Sequence, residues 1–358
     1  HELTVYDAQA KAGGILRYGI PAYRLPKDVL DKELELWKKL GVRFVFNARV
    51  GPDVTLEALR SQNDAVIIAV GAQGDRRLGI PGEDLEGVHP GYEWLETFSR
   101  GKAPKPGAKV LVIGGGNVAI DAARTLFRLG SDVTVAYRRS RDDLPANATE
   151  LKGAEEERIA FKYMLQPVEA LGKDGKVHAV RFRVMKAGGI DPSGRPAPVP
   201  TERYVDLPCD DVYVAVGETV ESAHFASSGM ATRKDGRLMA DGTSGKAGPG
   251  LWAIGDAVSG PATAAEAMGL AKRAAKAIDM ELMARDVFAR LFKDFEYGKT
   301  VPEPVSKARR GTVRLVPPEE RRGNFQELAA GFTGEQALAE AGRCLRCDLR
   351  PDARSPWR

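Results

Sequence analysis

Val110-Leu111-Val112-Ile113-Gly114-Gly115-Gly116-Asn117-Val118-Ala119 sets an apolar run directly against a glycine turn. The run from Lys109 to Ile113 reads as a strand. Asn117 to Leu129 reads as a helix closed by Gly130, and Val133 to Tyr137 as the next strand. Strand, glycine turn, helix and strand make the start of a βαβ unit. The turn fits G-x-G-x-x-A, with Gly114, Gly116 and Ala119 in the three places. Each place has a physical reason. The first glycine permits the tight turn. The second lets the backbone approach a pyrophosphate, which then sits on the positive end of the helix. The small third residue lets helix and strand pack closely.

The rest of the chain is read outward from that unit. Its 358 residues suggest two or three domains with a sizeable core. Hydrophobic residues at 43% and charged residues at 28% are the profile of a globular protein rather than a disordered one. No apolar run approaches the roughly 18 residues of a membrane span. Lys plus Arg exceeds Asp plus Glu by 53 to 49, a net charge of +4. That excess is too slight to argue for nucleic acid. Three Cys in a chain this long exclude a disulfide-framed secreted fold and point to a reducing, cytoplasmic setting. The four His are scattered, without metal-ligand spacing. The chain enters directly in a strand at His1-Glu2-Leu3, so natural sequence is expected ahead of it.

Leu3 to Asp7 reads as a buried strand ending in a carboxylate, and Lys27 to Leu40 as a helix closed by Gly41. Val42 to Phe46 is a strand and Thr55 to Arg60 a short helix. Ala65 to Val70 is an all-apolar strand of the type buried on both faces. Mixed β structure is expected from Ala160 to Val184, with a hairpin at Lys173-Asp174-Gly175-Lys176. Val212 to Val216 is another buried strand. A late unit runs from strand Leu251–Ile254 through Gly255-Asp256 to a helix over Thr263–Met283. Val301 to Glu320 is rich in Pro and charge and reads as an extended arm. Ala65 to Ala72 echoes Asp211 to Glu218, and Leu3 to Asp7 echoes Val133 to Arg138. Two dinucleotide-binding domains of related design would give this pattern.

The end of the second strand in each unit is where a ribose is read. Val133 to Tyr137 ends in Arg138-Arg139-Ser140-Arg141, with no carboxylate at the strand end. Guanidiniums there suit a 2′-phosphate and favour NADP over NAD. Leu3 to Asp7 ends instead in Asp7, the right chemistry for a ribose diol. The glycine-punctuated loop from Gly13 to Pro26 follows it and could wrap a flat anionic cofactor. In the late unit, Asp256 could bond a polyol hydroxyl. The helix from Thr263 aims backbone N–H groups where charge develops on a reduced flavin ring.

These motifs, in this order, resemble the FAD-dependent small subunit of bacterial glutamate synthase. They are similar also to the flavin part of dihydropyrimidine dehydrogenase and to NADPH–ferredoxin oxidoreductase subunits. The resemblance covers about residues 3 to 285. It implies FAD held by Asp7, Gly13, Gly14, Arg17, Gly71, Gly255, Asp256, Thr263 and Ala264. It implies NADPH held by Gly114, Gly116, Asn117, Ala119, Arg138 and Arg139. The family's first G-x-G-x-x-G turn, for the FAD pyrophosphate, has no counterpart in this chain and would lie ahead of His1.

The tail carries Thr333-Gly334-Glu335-Gln336, a capping box opening a helix that runs into Cys344-Leu345-Arg346-Cys347. Two thiolates at C-x-x-C can bind iron–sulfur, bind zinc or cycle as a disulfide. The readings left open are half of an iron–sulfur site completed by missing residues or a partner, no metal, and a redox dithiol. Cys209 abuts a buried strand and reads as a small core residue.

The sequence therefore predicts an α/β fold of two Rossmann-like dinucleotide-binding domains. An FAD-binding domain spans 1–102 and 218–285, an NADPH-binding domain is inserted at 103–217, and a C-terminal arm with the C-x-x-C follows at 286–358. The expected activity is that of an NAD(P)H-dependent FAD oxidoreductase, moving hydride from NADPH to FAD. The cofactors carry that chemistry, so no side-chain acid or base is required. Electrons would leave to an iron–sulfur protein, ferredoxin or larger redox-complex subunit, with no nucleic acid and no membrane insertion. Two alternatives stand beside this reading: a glutamate synthase small subunit proper, and a non-catalytic scaffold subunit of a redox complex.

Overall fold

The apolar run before the glycine turn forms the strand Lys109–Ile113 at the centre of a five-stranded sheet. The order across the sheet is Val88–Pro90, Asp211–Val214, Lys109–Ile113, Asp132–Tyr137 and Ala160–Tyr163, all parallel. The structure, a computed structural model, describes residues 1–284 and 309–344.

Both faces of this sheet are covered, which is why its strands are apolar without alternation. On one face lies the helix Asn117–Arg128. Its Ala119, Ile120, Ala123 and Leu126 are fully buried against Val110, Val112, Val133 and Val135. On the other face Leu111, Ile113, Val212 and Val214 pack on Val180 and Phe182 of an antiparallel meander. The meander is built from Leu165–Lys173, Lys176–Ile190 and Pro196–Pro208, with the long middle strand between the other two. Asp174 and Gly175 turn the expected hairpin with φ of 52° and 82°, the left-handed pair such a tight turn requires. The helix Gly91–Ser99 and its buried Trp94 also join this core. The unit carrying the glycine turn therefore begins ahead of residue 103, because Val88–Pro90 is already its edge strand.

The second unit is assembled from both ends of that insertion. The chain leaves it through Gly74–Asp75 and returns through Glu218–Thr219, and these two segments pair antiparallel as a two-stranded crossover. Val66–Ile68 runs parallel to Leu251–Ala253, whose other edge takes Lys246–Gly248. Leu56, Ile68, Phe225, Leu238 and Ala253 form its core. The helix Ala264–Met283 covers Trp252 with Leu270, Ala274 and Ile278. Thr263 caps it, with Glu266 answering in a full capping box.

Thr4–Asp7 pairs parallel with Arg43–Phe46 alone. This strand, expected to be buried, is half exposed, and Tyr6 is 38% exposed. Ala65 to Val70, expected to be buried on both faces, shortens to Val66–Ile68, with Ile67 40% exposed. The cause is the same in both cases. Thr4–Asp7 and Val66–Ile68 belong to separate sheets, and each has a neighbour on one edge alone among the described residues. The helix Lys27–Lys39 also leaves Leu36 and Trp37 exposed.

Residues 309–344 return along the first unit. Arg321 is buried, its Nη2 2.9 Å from Glu156. Gly323 donates its N–H to the Arg128 carbonyl at the end of the glycine-turn helix. The tail helix Gly334–Gly342 has the expected Thr333–Gln336 capping box.

Candidate cofactor cleft between the two units

The apolar strands deliver their turns to one side of each sheet, and a cleft of about 2450 Å³ opens there between the units. Gly114, Gly116 and Asn117 line one wall. Gly114 has φ +143°, and a Cβ on it would stand 2.0 Å from the Ala215 carbonyl, so only glycine fits. Nothing lies within 4 Å of where a Cβ on Gly116 would be. No side chain caps the helix that starts at Asn117, so its first N–H groups remain available to an anion. The Asn117 carboxamide is committed: its Oδ1 accepts from the Asn147 N–H at 2.9 Å. Ala119 does not reach the cleft. It is fully buried, 3.3 Å from the position of a Cβ on Gly114, and its smallness sets the helix-to-turn distance.

Arg138 is exposed and lines the cleft at the end of Asp132–Tyr137. Arg139 also lines it but is buried, donating to Asp191 at 2.6 Å and to the Pro196 carbonyl at 3.1 Å. Arg141, the third guanidinium of the run, turns away to Glu155.

The opposite wall gathers Asp7, Gly13, Gly14, Gly71, Gly255 and Asp256. Asp7 is half-buried, and burial pushes its carboxyl up, opposed by the N–H of Gln9 at 2.9 Å. Burial pushes the Asp256 carboxyl up as well, opposed by the Ala262 N–H. Gly71 and Gly255 have φ of +71° and +64°, which lays bare backbone along the wall. Gly14 and Gly71, distant in sequence, meet around the Gln73 carboxamide. Thr263 and Ala264 reach the cleft at the start of their helix, with the Thr263 hydroxyl engaged in the cap. Arg17 does not line the cleft. It is buried and donates to the Ala12 carbonyl and to Asp31, both at 2.6 Å, and so shapes the loop that carries Gly13 and Gly14.

Several cleft residues escaped the sequence reading. Asp121 faces the cleft from the glycine-turn helix, paired with Arg24. Its signal was a lone carboxylate in an otherwise apolar and alanine-rich stretch. Arg195 enters from the meander, with no local motif to mark it.

Cys344 is exposed just past the tail helix, and Cys347 lies outside the described residues. Among the described residues no group of three or more His, Cys, Asp or Glu could hold a metal ion. Cys209 is buried, and burial pushes its thiol up to about 12. No helix among the described residues is long and apolar enough to cross a membrane.

The model of the pyridine nucleotide-disulphide oxidoreductase family matches residues 24–271. The NADP(+)-dependent formate dehydrogenase subunit beta of Moorella thermoacetica is 38% identical over 363 residues, covering 97% of this chain and 51% of that protein. A putative glutamate synthase [NADPH] small chain of Cereibacter sphaeroides is 34% identical over 292 residues, covering 77% of this chain and 70% of the relative. The chain thus spans about half the length of the first relative and more than two thirds of the second. Among solved structures, Mycobacterium tuberculosis FprA in complex with NADPH shares the fold, with a TM-score of 0.66 at 22% identity over 79% of each chain. With the nested pair of Rossmann-like units and the cleft between them, the chain belongs to the pyridine nucleotide-disulphide oxidoreductase family.

Proposed function

We propose that this chain is the electron-input subunit of a redox complex, taking hydride from NADPH onto FAD and passing electrons to an iron–sulfur partner. One observation carries the reading. A single cleft has an uncapped glycine-turn helix and an exposed Arg138, without an acidic partner among the described residues, on one wall, and two half-buried carboxylates among positive-φ glycines on the other.

The residues present fit both cofactors in chemistry. Asp7 and Asp256 are acceptors for ribose and ribityl hydroxyls, and the bare backbone at Gly71 and Gly255 lets a flat ring approach. The Thr263 helix directs its N-terminal dipole into the same wall. Gly114, Gly116 and the N–H groups from Asn117 suit a pyrophosphate. When bound, the nicotinamide supplies a hydride and the flavin accepts it. The chain's own residues orient the two rings, exclude water and hold the charge of the phosphates. The relatives named as formate dehydrogenase and glutamate synthase subunits support a complex as the setting. Cys344, exposed at the end of a capped helix, supports an iron–sulfur contact there.

A second reading is a scaffold subunit of the complex that binds no flavin. Flavin uptake decides between them. The natural full-length protein, stripped and reloaded, should take up FAD, and Asp256→Ala should weaken that uptake. A protein that takes up none would leave the scaffold reading.

A further inference from the structure

The run Arg138-Arg139 places two cations side by side in sequence, yet the fold separates their roles. The loop between Lys176–Ile190 and Pro196–Pro208 carries Asp191-Pro192-Ser193-Gly194-Arg195. Asp191 organises it: its Oδ1 accepts from the Ser193 N–H at 2.8 Å and the Ser193 hydroxyl at 2.5 Å. Its Oδ2 takes the Arg139 guanidinium at 2.6 Å. Arg139 is thus buried and neutralised, and it pins the loop to the end of the strand Asp132–Tyr137. Arg195 is thereby laid across Tyr137. It donates to the Asp143 carbonyl at 3.2 Å, to the Ser193 hydroxyl at 3.1 Å and, at 3.5 Å, toward the Tyr137 hydroxyl. These acceptors are all neutral. The nearby Asp143 carboxylate is taken by the Ser140 hydroxyl and N–H. Burial pushes the Tyr137 hydroxyl up, and Arg195, Arg139 and Arg138 all pull against it, so the three guanidiniums share one neighbourhood. Tyr137, Arg138, Arg139 and Arg195 all line the cleft.

We infer that Arg195, delivered by the meander loop, is a specificity-determining residue that acts with Arg138 on a phosphate monoester of the bound dinucleotide. Arg139 is a positioning residue that holds the loop through Asp191. The inference rests on the NADPH reading above. The chemistry is that of two guanidiniums with no carboxylate partner among the described residues, at the strand end where the ribose is read, which suits a dianion with forked acceptors.

The test is equilibrium titration of the purified chain with adenosine 2′,5′-bisphosphate and with adenosine 5′-monophosphate. Wild type should prefer the bisphosphate. Arg195→Ala should weaken the bisphosphate on the order of ten- to a hundredfold, the size of one charge-assisted hydrogen bond, and leave the monophosphate unchanged. Arg195→Lys should recover part of the loss. Asp191→Asn should weaken the bisphosphate selectively, by releasing the loop. If wild type prefers the bisphosphate and Arg195→Ala binds it as well as wild type, this inference is overturned and the NADPH reading stands. If Arg195→Ala weakens both probes equally, Arg195 is structural and the inference is also overturned. If wild type binds both probes equally, the NADPH reading falls and takes this inference with it.

Discussion

Arg24 holds both carboxylate oxygens of Asp121 at 2.6 Å through one nitrogen, and its Nε reaches Glu150 at 3.0 Å. The pair joins the loop that carries Gly13 and Gly14 to the helix that follows the glycine turn, and so ties the two walls of the cleft. Beside it, the Arg128 guanidinium lies 3.8 Å from the centre of the Tyr23 ring. Leu328 of the C-terminal segment donates its N–H to the Tyr23 carbonyl at 2.8 Å. Both units and the C-terminal segment therefore converge on one buried cluster.

Arg24→Ala strands the buried Asp121 carboxylate. The expected cost is about 3–5 kcal/mol, the usual penalty for removing one partner of a buried pair, read as a lower denaturant midpoint. Adding Asp121→Asn should recover part of it. The pH dependence has a definite sign. Burial, only partly offset by Arg24, pushes the Asp121 carboxyl up to about 6. A folded value above the unfolded one means the native state gains stability as pH falls through the folded value toward the unfolded one, near 4. Removing Arg24 takes away a group that lowers the Asp121 value, so the deficit of Arg24→Ala should shrink as pH falls toward about 6 and level off below it, and a deficit that grows there would contradict this account.

Glu157 is fully buried and accepts from Arg124, Arg128 and Arg321. Burial pushes its carboxyl up, but the hydrogen bonds from Arg124 and Arg128 outweigh burial and hold it below its usual range. Its contribution is complete above the ordinary glutamate value and lost as pH falls through the depressed one. Glu157→Gln should cost about 3–5 kcal/mol at neutral pH, by leaving buried guanidinium charge uncompensated. Thermal unfolding of the variant near neutrality checks it; an unchanged midpoint would contradict the role given to Glu157.

Gly114→Ala forces a Cβ to 2.0 Å from the Ala215 carbonyl in a φ +143° backbone. Strain of this kind costs on the order of 1–3 kcal/mol before the clash is added, so the variant should be destabilised by at least that much. It should also bind NADPH more weakly. Gly116→Ala, with open space at the same point, should fold normally and lose only nucleotide affinity.

The thiols should separate cleanly. Cys344 is exposed and should react with a maleimide within minutes in the native protein. Cys209 should react only after unfolding, since it is buried and its thiol is pushed up to about 12. Peptide mapping by mass spectrometry reads both. In the natural full-length protein, replacing Cys344 and Cys347 with Ser should lower iron content or electron flow onward and leave flavin reduction intact.

What the sequence made legible was local. The glycine turn, its flanking strands, the Asp174-Gly175 hairpin and the Thr333–Gln336 capping box depend on residues within a few positions of one another. Edge pairing does not. The apolar strands Thr4–Asp7 and Val66–Ile68 look buried from composition, but burial depends on which neighbours lie alongside. Likewise the run Arg138 to Arg141 displays charge without showing which member is neutralised. Asp191 and Arg195, which decide that question, arrive from the other end of a long antiparallel hairpin. The resemblance implies Arg17 and Ala119 at the cofactors; in the fold both are buried behind the cleft wall, Ala119 in the close-packing role its place in the glycine motif gives it. Asp121 was legible in principle, as a lone carboxylate among buried alanines.

The most direct test of the central claim is anaerobic mixing of the flavin-loaded full-length protein with NADPH or NADH, following the flavin's long-wavelength absorbance band. NADPH should bleach the band faster and at lower concentration than NADH, and Arg138→Ala should reduce this preference while NADH reduction continues. Equal rates with both nucleotides in the wild type, or no bleaching by either, would contradict it.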